Sequence, residues 1–112
     1  MKNFLVTYMG SPGRAGRGEI GDATAQAGMK AWSEWATRNA SAIVDRGAPV
    51  GKTKLIGTDG TSDIRNRVAA YAIVRAESHA AAATLFEGHP HFTIFPGDSV
   101  EVMECLPMPT ME

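Results

Sequence analysis

His89 and His91 stand one residue apart with Pro90 between them, and no other pair in the chain offers chemistry so directly. Two imidazoles at this spacing can share a metal ion if a third or fourth ligand lies in reach, for which His79, Asp98 and Glu101 are the candidates. The pair reads better as a turn. One imidazole caps a helix end, where a donor is favourable, and the other lines a pocket. No metal is therefore expected. With its reference pKa near neutrality, His91 is the candidate acid–base group.

The other candidates are aromatic. Tyr8 and Tyr71 carry hydroxyls that need partners if buried, which suits them to donate hydrogen bonds from a pocket wall. Trp32 and Trp35 serve either as core or as stacking surfaces. Trp35 lies off the centre of its helix's apolar stripe, where a helix meets a neighbour or a pocket. Tyr8, Trp35, His89 and His91 together make the candidate ligand-binding set, an apolar body with a few convergent donors. Cys105 has no activating partner, and Glu101 and Glu104 would raise its thiol pKa, so it reads as a small buried apolar residue. Gly13 to Gly18 matches no phosphate-binding loop, and no cofactor is expected.

These residues must be positioned by a short series of elements. Asn3 to Met9 is rich in β-branched and aromatic residues and is bounded by a Gly-Ser-Pro-Gly turn, which predicts a first strand. Phe4, Val6 and Tyr8 point to one side, Leu5, Thr7 and Met9 to the other, and both sides carry large apolar groups. Gly10 to Gly21, with five glycines and almost nothing apolar, predicts a mobile loop or lid. A helix is expected from Asp22 or Thr24 to about Arg46, stopping at Gly47, with Met29, Trp32, Ala36, Ala40 and Ile43 on one stripe. Asp45 and Arg46 then read as a helix-end ion pair.

Pro49 to Thr58 predicts a second strand, Asp59-Gly60-Thr61 a turn, and Asn66 to Arg75 a third strand. Val68, Ala70, Ala72 and Val74 give that third strand one small, smooth face for helix packing. Ser78 is a good N-cap for a second helix from His79 to Glu87, ended by Gly88. Ser99 to Cys105 is the closing strand. The order strand, helix, strand, strand, helix, strand gives an α+β, ferredoxin-like fold, a four-stranded antiparallel sheet with both helices on one face. Its other face stays bare and apolar, so a second copy related by two-fold symmetry is expected to cover it.

Length and charge narrow the class. At 112 residues, 44% hydrophobic and 21% charged, the chain is expected to be one globular domain. Eleven basic and 12 acidic residues are well mixed for a net charge of −1, so nucleic acid is not an expected partner, and no apolar run approaches the ~18 residues of a membrane span, so neither is a membrane. The short, alternating N-terminus does not read as a signal peptide, and the single cysteine suits a reducing compartment, so a cytoplasmic protein is expected.

Three segments carry a family resemblance: Tyr71-Ala-Ile-Val-Arg-Ala, the Glu77-Ser78 cap with its alanine-rich helix, and Gly88-His-Pro-His-Phe followed by Pro96-Gly-Asp-Ser-Val-Glu-Val. They look like YCII-related proteins. The resemblance implies a dimeric α+β barrel over residues 1–112, in which two ferredoxin-like sheets face each other. It departs from that family where Asp59-Gly60 is followed by Thr61-Ser62 in place of Pro-Phe, and no histidine stands between Asp22 and Arg46 to pair with an aspartate. Relatives of the barrel include isomerases, monooxygenases and dehalogenating enzymes, so the fold leaves the chemistry open. Two classes follow. One is an isomerase- or lyase-like enzyme acting on a small metabolite. The other is a noncatalytic ligand-binding or regulatory homodimer.

Overall fold

The computed structural model describes residues 1–10 and 21–109. The expected loop or lid at Gly10 to Gly21 lies, apart from its two end residues, outside the described residues. Strand β1 (Lys2–Met9) runs through the middle of a four-stranded sheet ordered β2–β5–β1–β6. Its neighbours β5 (Val68–Ala76) and β6 (Ser99–Glu104) are both antiparallel to it, and β2 (Ile43–Pro49) pairs antiparallel with β5 at the edge. This is the ferredoxin-like arrangement.

The alternation read from the residues sets the core. Phe4, Val6 and Tyr8 face Val74, Ala72 and Ala70 of β5 across the ladder, and Val6 and Tyr8 face Val102 and Val100 of β6. Phe4, Val6 and Val74 are fully buried. Onto this face pack α1 (Asp22–Arg38), through Trp35 and Ala36, and α2 (His79–Thr84), through Ala82, with Phe86 just beyond it. The alanines of β5 let the helices come close, and each buried aromatic contributes on the order of 2 kcal/mol or more. Ser78 caps α2 as expected, its hydroxyl accepting from the Ala81 N–H at 3.0 Å. No helix among the described residues is long and apolar enough to cross a membrane.

Two expectations are corrected. The first helix does not reach Arg46. It ends at Arg38, where Asn39 turns its side-chain amide onto the Trp35 carbonyl at 2.9 Å, and a single 3₁₀ turn (Ala40–Ala42) leads into β2. The apolar spacing continues through Ala40 and Ile43, so periodicity alone hides this break. The sheet's second strand is therefore Ile43–Pro49. The segment expected to be that strand instead forms β3 (Thr53–Gly57), which pairs with β4 (Gly60–Ile64) in a separate two-stranded hairpin. The turn at Asp59-Gly60 is real, but it joins β3 to β4 and not to the sheet. Pro49 ends β2 at a sheet edge, where a residue without an N–H is tolerated.

β2 is irregular where it matters. Asp45 pairs with Ile73 and Ala48 with Tyr71, so Arg46 and Gly47 together oppose Ala72 in a bulge. Gly47 has φ +67°, and Asp45 Oδ1 accepts its N–H at 2.8 Å. A Cβ at Gly47 would stand 1.8 Å from the Tyr71 carbonyl oxygen. Gly47→Ala is expected to destabilise the fold by about 3 kcal/mol, from positive-φ strain and the backbone clash. The control is Gly57→Ala, which meets nothing within 4 Å. Urea unfolding of the two variants checks this, with little change expected for the control.

Candidate functional site

Beyond the packed end of the core, the helix face of the sheet opens into a cavity of about 590 Å³. The Ala69–Tyr71 stretch of β5 borders it, with Ala70 on the helix face, and Gly47, Ala48 and Pro49 of β2 run along one side. Met29, Trp32 and Ser33 of α1 form a wall, and Phe95, Pro96 and Gly97 another. Tyr8, Ser33, Tyr71 and His91 are its polar lining residues, and Arg46 supplies its formal charge. The volume suits a small metabolite.

Tyr8 is nearly inaccessible in the centre of the sheet, and burial raises its phenol well above the usual range. It is therefore a neutral hydrogen-bond donor and not a phenolate. Its ring lies 4.9 Å from Trp32, 5.2 Å from His89 and 5.4 Å from His91, between centroids.

The two histidines belong to a short helix, α3 (Pro90–Thr93), with His91 inside it and His89 just before it, and Pro90 opens it at a position where no N–H is needed. His89 caps it. The His91 backbone N–H donates to His89 Nδ1 at 3.0 Å, which places the proton of His89 on Nε2. That Nε2 is buried without a hydrogen-bond partner among the described residues, inside a box of Tyr8, Trp32, Trp35 and Phe86 rings. The Trp32 ring lies edge-to-face at 4.5 Å, where a π system is a weak acceptor. Desolvation first, and the neighbouring His91 charge second, lower the His89 pKa to about 4, so it is neutral at physiological pH.

His91 is held differently. Its Nε2 lies 2.8 Å from the Met9 carbonyl oxygen. A carbonyl only accepts, so Nε2 carries the hydrogen and Nδ1 keeps a lone pair in the neutral ring. The approach is tight enough to require a glycine beside it. A Cβ at Gly97 would come within 2.5 Å of His91 O, Cε1 and Nε2.

The structure thus brings Tyr8 and His91 to one cavity, while Trp35 and His89 stand behind its wall. Trp35 is core, its indole N–H donating to the Leu85 carbonyl at 2.7 Å. Trp32 takes the lining place on α1, because the buried stripe of that helix runs through Gly28, Trp35 and Ala36 with Trp32 at its margin. Arg46 and Tyr71 also line the cavity. Arg46 escaped the sequence reading because it was assigned to a helix end, and Asp45 binds the Gly47 N–H where an ion pair was expected. His89 caps the start of α3, not the end of α2 as the turn reading expected. Cys105 is exposed rather than buried, because it follows β6 at the sheet's margin. No cluster of three or more metal-ligating side chains occurs among the described residues.

No protein-family model matches the chain, and no curated protein does. Among solved structures, one likeness is to 5-chloro-2-hydroxyhydroquinone dehydrochlorinase from Burkholderia phenoliruptrix AC1100, in complex with 2,5-dihydroxybenzoquinone. The identity is 15%, the match covers 89% of each chain, and the TM-score is 0.49. So distant a likeness carries no argument about the reaction.

Burial of His89 has a consequence for stability. Unfolded, it takes up a proton near its ordinary 6.5; folded, not until about pH 4. Between these values the unfolded chain binds more protons, so His89 lowers stability as pH falls through this window. The loss is expected to total on the order of 3 kcal/mol at pH 4 relative to pH 7. His89→Asn keeps an acceptor for the His91 N–H and removes the titration. Denaturant melts between pH 7 and pH 4 should show a clearly smaller loss in that variant.

Proposed function

We propose that this chain is a single-domain YCII-related protein of the dimeric α+β barrel type, and that it works in the cytoplasm on a small metabolite bound in the cavity. The observation that carries the reading is the pairing of Tyr8 and His91 on one apolar cavity, with the His91 Nε2–H committed to the Met9 carbonyl. Nδ1 is then the basic position of an imidazole whose tautomer and tilt are set by the backbone. Tyr8 is a phenol kept protonated by burial. Together they suit proton transfer next to a carbonyl. His91 removes a proton from the adjacent carbon, and Tyr8 donates a hydrogen bond to the enolate oxygen that forms. Returning the proton to another carbon completes an isomerisation. Expelling a leaving group from the next carbon completes an elimination.

A test begins with a thermal-shift screen of small carbonyl compounds. Binders are then incubated in D₂O and followed by NMR for exchange at the carbon beside the carbonyl. The native protein is expected to catalyse exchange, and His91→Gln to slow it by about 10²- to 10⁴-fold with binding retained. A noncatalytic ligand-binding or regulatory role is the second reading, favoured by the largely apolar lining of the cavity. Tight binding with no exchange in the native protein would establish it instead.

Dimerisation is part of the same reading. The sheet face away from the helices carries Leu5, Thr7, Tyr71 and Ile73, all half-buried, with Met103 exposed at its side. The Thr7 hydroxyl is buried there without a partner among the described residues. Leu55 and Ile56 of the separate hairpin are exposed as well. A homodimer is expected to persist on dilution to about micromolar concentration, as core-like interfaces of about 2,000 Å² do. Sedimentation velocity showing only monomer in that range would contradict it.

A further inference from the structure

Arg46 is the only formally charged side chain on the cavity wall among the described residues, and no acidic group faces it there. The ion pairs among the described residues join Lys2 to Glu104, Lys54 to Asp63 and Arg67 to Asp98, so Arg46 has no carboxylate partner among the described residues. Its neighbour Asp45 is committed to the Gly47 N–H. The β2 bulge sets Arg46 opposite Ala72, a core-face residue of β5, where a regular strand has room for one residue and not two. Such bulges re-aim side chains beside binding sites. This one requires a positive-φ glycine pressed against the Tyr71 carbonyl.

Two aromatic rings, Trp32 and Phe95, also line the cavity. Trp32 and Phe95 meet edge-to-face with centroids 6.0 Å apart. We propose that the cavity takes a small planar organic acid, with its carboxylate held by the Arg46 guanidinium and its ring against the Trp32–Phe95 pair. The proposal rests on the cavity reading above and names the ligand class for it. A guanidinium presents a planar fork that matches a carboxylate in two parallel hydrogen bonds, and partial removal of water strengthens the pair. An arginine on an edge strand can also serve only to discourage sheet extension, in which case ligand charge will be irrelevant.

The probes are 4-hydroxybenzoate and its neutral isostere 4-hydroxybenzamide, titrated calorimetrically and by ¹⁵N-resolved NMR into the native protein, Arg46→Met and Arg46→Lys. Arg46 is exposed, so these variants are expected to fold. The acid should bind the native protein at least about tenfold more tightly than the amide, as charge-assisted hydrogen bonds allow. Arg46→Met should abolish that preference, and Arg46→Lys should restore part of it. Equal binding of acid and amide, or a preference that survives in Arg46→Met, overturns the proposal. If the amide binds and perturbs the Trp32 and His91 signals without any preference for the acid, the cavity reading stands and the anion assignment falls. If neither probe perturbs those signals, both are retired.

Discussion

The carbonyl of Met9 is the constraint on which the site depends. It sits at the end of the central strand, where the β1–β5 register shifts between Tyr8 and Met9. It accepts from the Asp98 N–H at 2.9 Å and from His91 Nε2 at 2.8 Å. One oxygen therefore ties the end of β1 to the start of β6 and to the short helix carrying both histidines. Because β1 is paired on both sides, His91 is referenced to a central strand of the sheet. Gly97 makes the approach possible, since any larger residue would occupy the space of the imidazole.

The cavity follows from an uneven distribution of side-chain size along the sheet. At the Phe4 and Val74 end, Phe4, Trp35 and Phe86 fill the space between sheet and helices. At the Tyr8 end the lining runs through Gly10, Gly47, Ala48, Ala69, Ala70 and Gly97, which contribute almost no volume. Close packing at one end and small residues at the other leave an apolar chamber with few polar groups. His89 belongs to the packed end. It shapes the site from behind, by capping α3 and holding the His91 backbone, and it does so as a neutral ring.

Much of the architecture was legible. β1 and β5 alternate cleanly between core and open face, Ser78 and the alanine run announce α2, and the tail from Ser99 reads as a closing strand. Tyr8 and His91 could be singled out because a phenol in a buried strand and an imidazole beside a proline turn are unusual enough to need a reason. The break after Arg38 was hidden by an apolar spacing that continues through Ala40 and Ile43. The edge strand β2 was hidden in turn, because its alternation is broken by the bulge that carries Arg46.

By itself the sequence determined which faces of β1 and β5 are apolar, the Ser78 cap of α2, the Asp59-Gly60 turn and the ferredoxin-like fold class, since these depend on residues close together in the chain. Tertiary structure alone decided that Trp32 and not Trp35 lines the cavity, that Arg46 joins it, and that one histidine is locked neutral while the other is held by a strand carbonyl. Each of those outcomes depends on groups distant in sequence. Trp35 bonds Leu85 across 50 positions, and His91 bonds Met9 across 82. Such partners are chosen by how helices settle on a sheet whose ends differ in size, and local pattern carries no record of that choice.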